Sequence, residues 1–418
     1  MRSLPFVAIF LGALAACSSS SSSSSDPGPS GGLDAGTTLD AVDVPIDGVT
    51  HDELARFNSG DSFFDLALRE GDGLGPLYTQ QSCGACHKNA LRGPGLVQKM
   101  SVVEADGITA APSADQQQRL PYGGTEHPFV TAGATRPILA PDDQTSIKVT
   151  TRAGPAALGR GYMEAILDSE IERVEREQGA RTDGIHGHIN HVVYASEANT
   201  DKSFHTHQKG DTVIGRFGLK ARIATLDDFT ADALQNDMGI TSPMRPTEFA
   251  NPEGLTDDLK PGIDVTLDSV NVRANYVRLI AIPKRDGLTD AGRALFASTQ
   301  CAACHAPSLK TRADYPLSLL AGIDAPVYTD LLLHDMGDAL ADGTAGMDGQ
   351  ATSRQWRTAP LIGLRFEKIF LHDGRAHSIR DAVTAHDGAG SEASDSVHRF
   401  LTLSSADQQT LLDFVGAL

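Results

Sequence analysis

The sequence predicts a mainly α-helical body in which short helices are joined by long loops, and three observations lead there. Aromatic residues make up only 6% of the 418 residues, while 41 are glycine and 21 proline. Such a chain has few strand formers and many turn formers. Several segments pair a capping residue with an apolar stripe at helical spacing. The length is sufficient for two domains, each with its own core.

The chain opens as a lipoprotein export signal over residues 1–16: Met1-Arg2, an apolar stretch at 6–14, then small residues in Leu14-Ala15-Ala16-Cys17. The apolar stretch is too short to span a bilayer. An ordinary signal peptide with an incidental cysteine is the alternative. However, eight serines at 18–25 follow at once, and the Ser, Gly and Pro content of 17–43 makes a flexible tether. Lipid on Cys17 is therefore expected, with the protein periplasmic or at the cell surface and anchored to a membrane. The net charge of −19 argues against nucleic acid as a partner. It can steer a basic protein onto the surface, although exported proteins often carry such a charge for solubility alone.

Along the body, residues 96–103 around Met100 read as a packed strand or loop. Thr225-Leu226-Asp227-Asp228 starts a helix with Leu226, Phe229, Ala233 and Asp237 on one face. After Pro283, Thr289 caps a second helix in which Arg293 and Phe296 lie one turn apart and Gly292 leaves room for another helix to cross. Ser378 starts a third, with the stripe Ile379, Ala382, Val383 and His386. The chain ends with the capping pattern Ser405-Ala406-Asp407-Gln408 and the stripe Leu411, Leu412, Val415 and Leu418. These elements divide the body into 44–283, with a long middle segment, and 284–418.

Apart from Cys17, the cysteines form two pairs, Cys83-Gly84-Ala85-Cys86-His87 and Cys301-Ala302-Ala303-Cys304-His305. Both fit C-x-x-C-H, in which two thioether bonds hold haem c and the adjacent histidine supplies an axial imidazole. A zinc ribbon would need the pairs much closer together, and a redox dithiol would need a βαβ surround. The expected architecture is thus two cytochrome c-like haem domains with two covalently bound haem c groups. His87 and His305 are the proximal ligands.

The second axial position decides between electron transfer and catalysis. His386, at the inner end of its stripe, is the candidate in the C-terminal half, although a histidine so placed is often only a packed residue. In the N-terminal half no histidine occurs between Lys88 and Glu126, and Met100 is the only methionine there, so an open iron is the natural inference. Asp237, ending an apolar helix face, suits proton delivery, with Glu164 as second choice; a solvent-facing helix end is the alternative for Asp237. His186, His188, His191, His205 and His207 lie within 22 residues and read either as a divalent-metal cluster or as a polar loop.

The chain resembles the di-haem oxidoreductase family of peroxidase-like and thiol-oxidoreductase-like proteins, relatives of bacterial di-haem cytochrome c peroxidases and of the methylamine dehydrogenase maturase. The resemblance rests on Gly73-Leu74-Gly75-Pro76, Gly215-Arg216-Phe217-Gly218, Asp237-Met238-Gly239-Ile240-Thr241, the run from Tyr328 through Leu333-His334-Asp335-Met336-Gly337, Trp356-Arg357-Thr358-Ala359-Pro360-Leu361 and Leu371-His372-Asp373-Gly374-Arg375-Ala376. It implies a ligand slot fourteen residues after His372, which is His386, making that haem bis-histidine. It also implies a tryptophan where this chain has Leu219 and a distal glutamine where it has Phe229, while Asp237 falls near a distal glutamate. The related peroxidases hold calcium between their domains. The expected activity is peroxide reduction, with electrons passing from the C-terminal to the N-terminal haem and a small redox protein as donor. An oxidase of a protein or thiol substrate and a lipid-anchored electron carrier are the competing functions.

Overall fold

A computed structural model describes residues 40–93, 96–106, 109–135, 146–249, 251–255, 260, 262–344 and 348–418. The signal at 1–16, Cys17 and the tether up to residue 39 lie outside the described residues. Among the described residues, eleven α-helices alternate with loops and five two-stranded antiparallel ladders, so the body is mainly α. The helices are α1 His51–Asp65, α2 Cys83–Cys86, α3 Ser113–Arg119, α4 Arg160–Ala165, α5 Asp168–Gly179, α6 Leu226–Met238, α7 Leu267–Leu279, α8 Asp290–Ser298, α9 Ile379–Thr384, α10 Ser394–Thr402 and α11 Ser405–Ala417. None is long and apolar enough to cross a membrane.

The helix starts follow the caps. Thr225 Oγ1 accepts from the Asp228 amide at α6, Thr289 from Gly292 at α8 and Ser378 from Asp381 at α9. At α11 the cap lies one residue earlier than the pattern Ser405-Ala406-Asp407-Gln408 indicated: Ser404 accepts from the Asp407 amide. Either serine is chemically competent, and the backbone of Ser404 is the one that is extended.

Close helix contacts require glycine at several positions, Gly60 and Gly292 among them. A Cβ on Gly60 of α1 would run into Tyr276 of α7, and one on Gly292 of α8 would lie 2.5 Å from the Phe414 Cβ of α11. The first and last helices of the C-terminal segment therefore cross as expected. Phe296, Tyr328, Phe400, Leu411, Leu412, Phe414, Val415 and Leu418 form a core drawn entirely from that segment. The largest core crosses the 283/284 boundary, because Leu309, Tyr315, Leu320, Val327 and Leu332 pack with Tyr162, Met163, Leu279 and Ile282.

Met100 lies in the strand Leu96–Val102, which pairs with Ile147–Ala153, and is buried against Val102, Leu120 and Ile147. That ladder ends where the chain turns towards the interior: the Ala153 amide donates to the His372 carbonyl and the Ala157 amide to that of Ala90.

Two candidate haem cavities

The first motif folds as the single turn α2, capped by Ser82 Oγ on the Ala85 amide at 3.1 Å. One helical turn brings Cys83, Cys86 and His87 to one side. Gly84 is pressed so closely on Asp65 at the end of α1 that a side chain there would collide with its carboxylate. The second motif forms a tighter turn over Cys301–Ala303, closed by the His305 amide on the Cys301 carbonyl at 3.0 Å. All four cysteines are free and half-buried. Burial, then the nearby Asp237 charge, pushes the Cys86 thiol up to about 11, and burial raises Cys83 and Cys301 as well. A redox dithiol needs a depressed thiol pKa, so this environment opposes that reading.

Each motif opens into a cavity. The larger is lined by Cys301, Cys304 and His305 on one side and by Ile379, Ala382, Val383 and His386 on another, with Leu219, Trp356 and His372 also on its wall. The whole expected stripe of the third sequence-read helix faces it, although α9 itself stops at Thr384. His305 Nδ1 donates to the Tyr328 carbonyl at 3.1 Å and His386 Nδ1 to the Ala382 carbonyl at 2.6 Å. A carbonyl can only accept, so both rings keep their Nε2 lone pair for a metal. Burial, followed by the closeness of His386, pushes His305 down to about 4, and burial lowers His386 too. Both rings are thus held neutral, as ligation requires.

The smaller cavity is lined by Cys83, Cys86 and His87 and also by Leu226, Phe229, Thr230, Ala233, Asp237 and Met238 of α6. Burial lowers the His87 pKa. The face predicted for this helix is the one presented. The loop before the motif holds α6 in place: the Gly75 amide donates to the Met238 carbonyl and the Thr79 amide to that of Asp237, while a Cβ on Gly239 would lie 2.5 Å from the Gly75 oxygen. Asp237 is half-buried at the cavity edge.

Met100 and His127 do not line this cavity. His127 Nε2 donates instead to the Asn236 carbonyl at 2.7 Å. Met238 and Gln80 do line it, and sequence reasoning missed both. Met238 was visible beside Asp237, but nothing in its spacing distinguished it from a core residue.

Glu164 is not on the cavity. Its carboxylate binds Arg278 at 2.6 Å, receives the Tyr315 hydroxyl at 2.7 Å and accepts from the Leu226 amide at 2.7 Å. Burial would raise its pKa, but Arg278 outweighs burial and holds it below the ordinary range. An acid so committed is a structural ion, and its placement corrects the second choice for proton delivery.

The five histidines do not form a metal cluster. His205 and His207 stack at 5.0 Å, with His205 Nε2 on Asp227 at 2.8 Å. His186 Nδ1 reaches the Gln178 carbonyl, while His191 is exposed on a strand. Among the described residues, the group with metal-ligand spacing is Cys304, Asp330 and His334. His334 lies between Asp330 at 2.9 Å and Glu392 at 2.7 Å. Burial opposes its charge, but the neighbouring Cys304 and Asp330 raise its pKa well above the ordinary value. A protonated imidazole has no lone pair for a metal, and the thiol and imidazole do not suit calcium.

Two cavities, each lined by a cysteine pair and the histidine that follows it, suit a protein that holds two haems. Residues 135–418 match the model of the family described as "di-haem oxidoreductase, putative peroxidase", and the chain belongs to that family. The matched span includes the second motif and begins after the first. No curated protein matches the sequence. Among solved structures, the chain is similar to hydrazine synthase from Kuenenia stuttgartiensis, studied under 20 bar of xenon. That likeness has 12% identity and a TM-score of 0.37, covering 94% of this chain and 100% of the other. It is too distant to transfer fold or function.

Proposed function

We propose that the protein is a lipid-anchored, peroxidase-like di-haem c oxidoreductase of the periplasm or cell surface, with one haem in each of two cytochrome c-like regions divided near 283/284. The observation that carries this reading is the asymmetry between the cavities. His305 and His386 both offer Nε2 to the larger one, whereas the smaller one sets a single imidazole, His87, against an apolar helix face and one acid. Haem iron, when bound, supplies electron exchange where both axial positions are filled and a binding site for peroxide where one is open.

The residues divide the remaining work. Cys83 and Cys86, and Cys301 and Cys304, attach the two groups. His305 and His386 would hold one iron through their Nε2 atoms, an arrangement that would suit receiving electrons from a small redox protein. Phe229 and Ala233 keep the α6 part of the N-terminal cavity apolar. Asp237 is the side chain placed to give protons to the oxygen atoms as peroxide is reduced to water. A calcium ion forms no part of this proposal.

Met238 favours a second reading, since its thioether on the same cavity is a possible sixth ligand and would make the protein an electron carrier. Phe229, which cannot hydrogen-bond peroxide, favours a third, oxidation of a protein or thiol substrate. Ferric electron paramagnetic resonance with added cyanide separates these readings. One high-spin and one low-spin haem, with cyanide converting the former, supports the open site. Two low-spin haems indifferent to cyanide would eliminate it. An open site that turns over no peroxide would favour substrate oxidation.

A further inference from the structure

The two cavities share a wall. Pro155, Ala156, Arg160 and Arg357 line both of them. Arg160 and Arg357 are 7% and 5% exposed, so both guanidiniums are buried.

A buried charge is costly unless it is paired, yet neither arginine forms an ion pair among the described residues. Arg160 Nε donates to the Ala156 carbonyl at 2.7 Å, and its Nη1 lies 2.9 Å from the Met163 sulfur. Arg357 Nε donates to the Gly218 carbonyl at 3.0 Å and its Nη1 to that of Thr358 at 2.7 Å. The acids that influence them are engaged elsewhere. Asp330, near Arg357, binds His334 and Gln178. Glu367, near Arg160, accepts from the Arg92 amide. Burial, then the Arg357 and Arg92 charges, pushes Arg160 down to about 9; burial pushes Arg357 down to about 10. Two forked donors are therefore buried without carboxylate partners in the wall shared by the two cavities, which are read above as sites for carboxylate-bearing cofactors. Planar guanidinium is the group best matched to a carboxylate.

We propose that Arg160 and Arg357 form one shared seat for the propionate carboxylates of both haems, so that a single pair of cations sets the electrostatic environment of both irons. This rests on the di-haem reading above. One propionate of each haem set against the two guanidiniums makes two anions and two cations, which neutralise one another, and each iron feels a change at either arginine.

The test is spectroelectrochemical titration of the haem-loaded protein, after covalent haem has been counted by its pyridine complex. A wild-type chain without two covalent haems refutes the di-haem reading itself. With two present, Arg357→Gln removes a cation that favours the ferrous state. At a fixed poise, the ferrous-to-ferric ratio should fall on the order of tenfold at both haems, as Coulomb's law gives for about 10 Å and an effective dielectric of about 20. Arg357→Lys should recover most of the shift. Arg92→Gln, which changes a residue lining only the larger cavity, should move mainly the C-terminal haem. A shift confined to one haem in Arg357→Gln, or none, overturns the shared seat. Arg160→Gln is the second variant, with the same expectation. If neither glutamine variant loads haem, restored loading in the lysine variants supports the seat, and loading that lysine does not restore overturns it.

Discussion

The two cavities begin from the same five-residue pattern and differ in what faces it. Around Cys301, Cys304 and His305 the lining includes Ile379, Ala382 and Val383 of α9 and, just past its end, His386, whose ring is oriented by the Ala382 carbonyl. Around Cys83, Cys86 and His87 it includes α6, which presents Phe229, Ala233 and, at its end, Asp237 and Met238. On the proposed reading, a C-x-x-C-H turn would supply attachment and one ligand in each cavity. The same reading leaves reactivity to the helix that lines the rest of each cavity, which the motif does not encode.

The largest expected effect tests whether the cavities are separate attachment sites. Replacing Cys301 and Cys304 together by serine should halve the covalent haem, from two per chain to one, by pyridine haemochromogen absorbance. Loss of both haems would show that the two regions fold as one. Next, His386→Ala should make the C-terminal haem resemble its neighbour, converting a low-spin ferric signal to high spin. An unchanged spectrum and potential would remove His386 as a ligand.

Glu164 and Asp237 extend the comparison to the two acids. Glu164→Gln leaves Arg278 buried with only the longer contact to Asp227 at 3.8 Å as counter-ion, a loss that should cost up to about 3–5 kcal/mol, read by denaturant unfolding, while peroxide turnover per folded molecule should be unchanged. The pH dependence has a definite sign. The folded pKa of Glu164 lies below the unfolded value of about 4.3. Its contribution is therefore present at neutral pH and lost as pH falls through the folded value, because the unfolded chain takes up that proton first. The variant should lack this part of the acid sensitivity. Asp237→Asn should do the reverse, leaving stability and both haem spectra nearly intact while slowing peroxide turnover at least tenfold, towards the lower end of general acid–base effects. Equal turnover would exclude Asp237.

Much of this was legible in the chain because local chemistry determined it. Thr225, Thr289 and Ser378 start helices because a hydroxyl can satisfy a free amide wherever it lies. The stripes of α6 and α9 line cavities because a period of 3.6 sorts apolar side chains onto one face whatever covers them. The metal reading of the histidine segment failed for a converse reason. Closeness in sequence does not bring ring nitrogens together, and Asp227, Gln178 and a strand edge separated them.

The sequence by itself determined the helical class, the caps of α6, α8 and α9, the two haem motifs and the family, all of which depend on residue types at short, regular spacing. Only the tertiary structure decided that Glu164 is locked to Arg278 rather than facing a cavity, that Met238 joins Asp237 beside His87, and that Arg160 and Arg357 stand in a wall common to both sites. Those facts depend on residues up to hundreds of positions apart, and on which charges are buried together. Desolvation and partner geometry in the packed interior, unlike periodicity, leave no local mark on the chain.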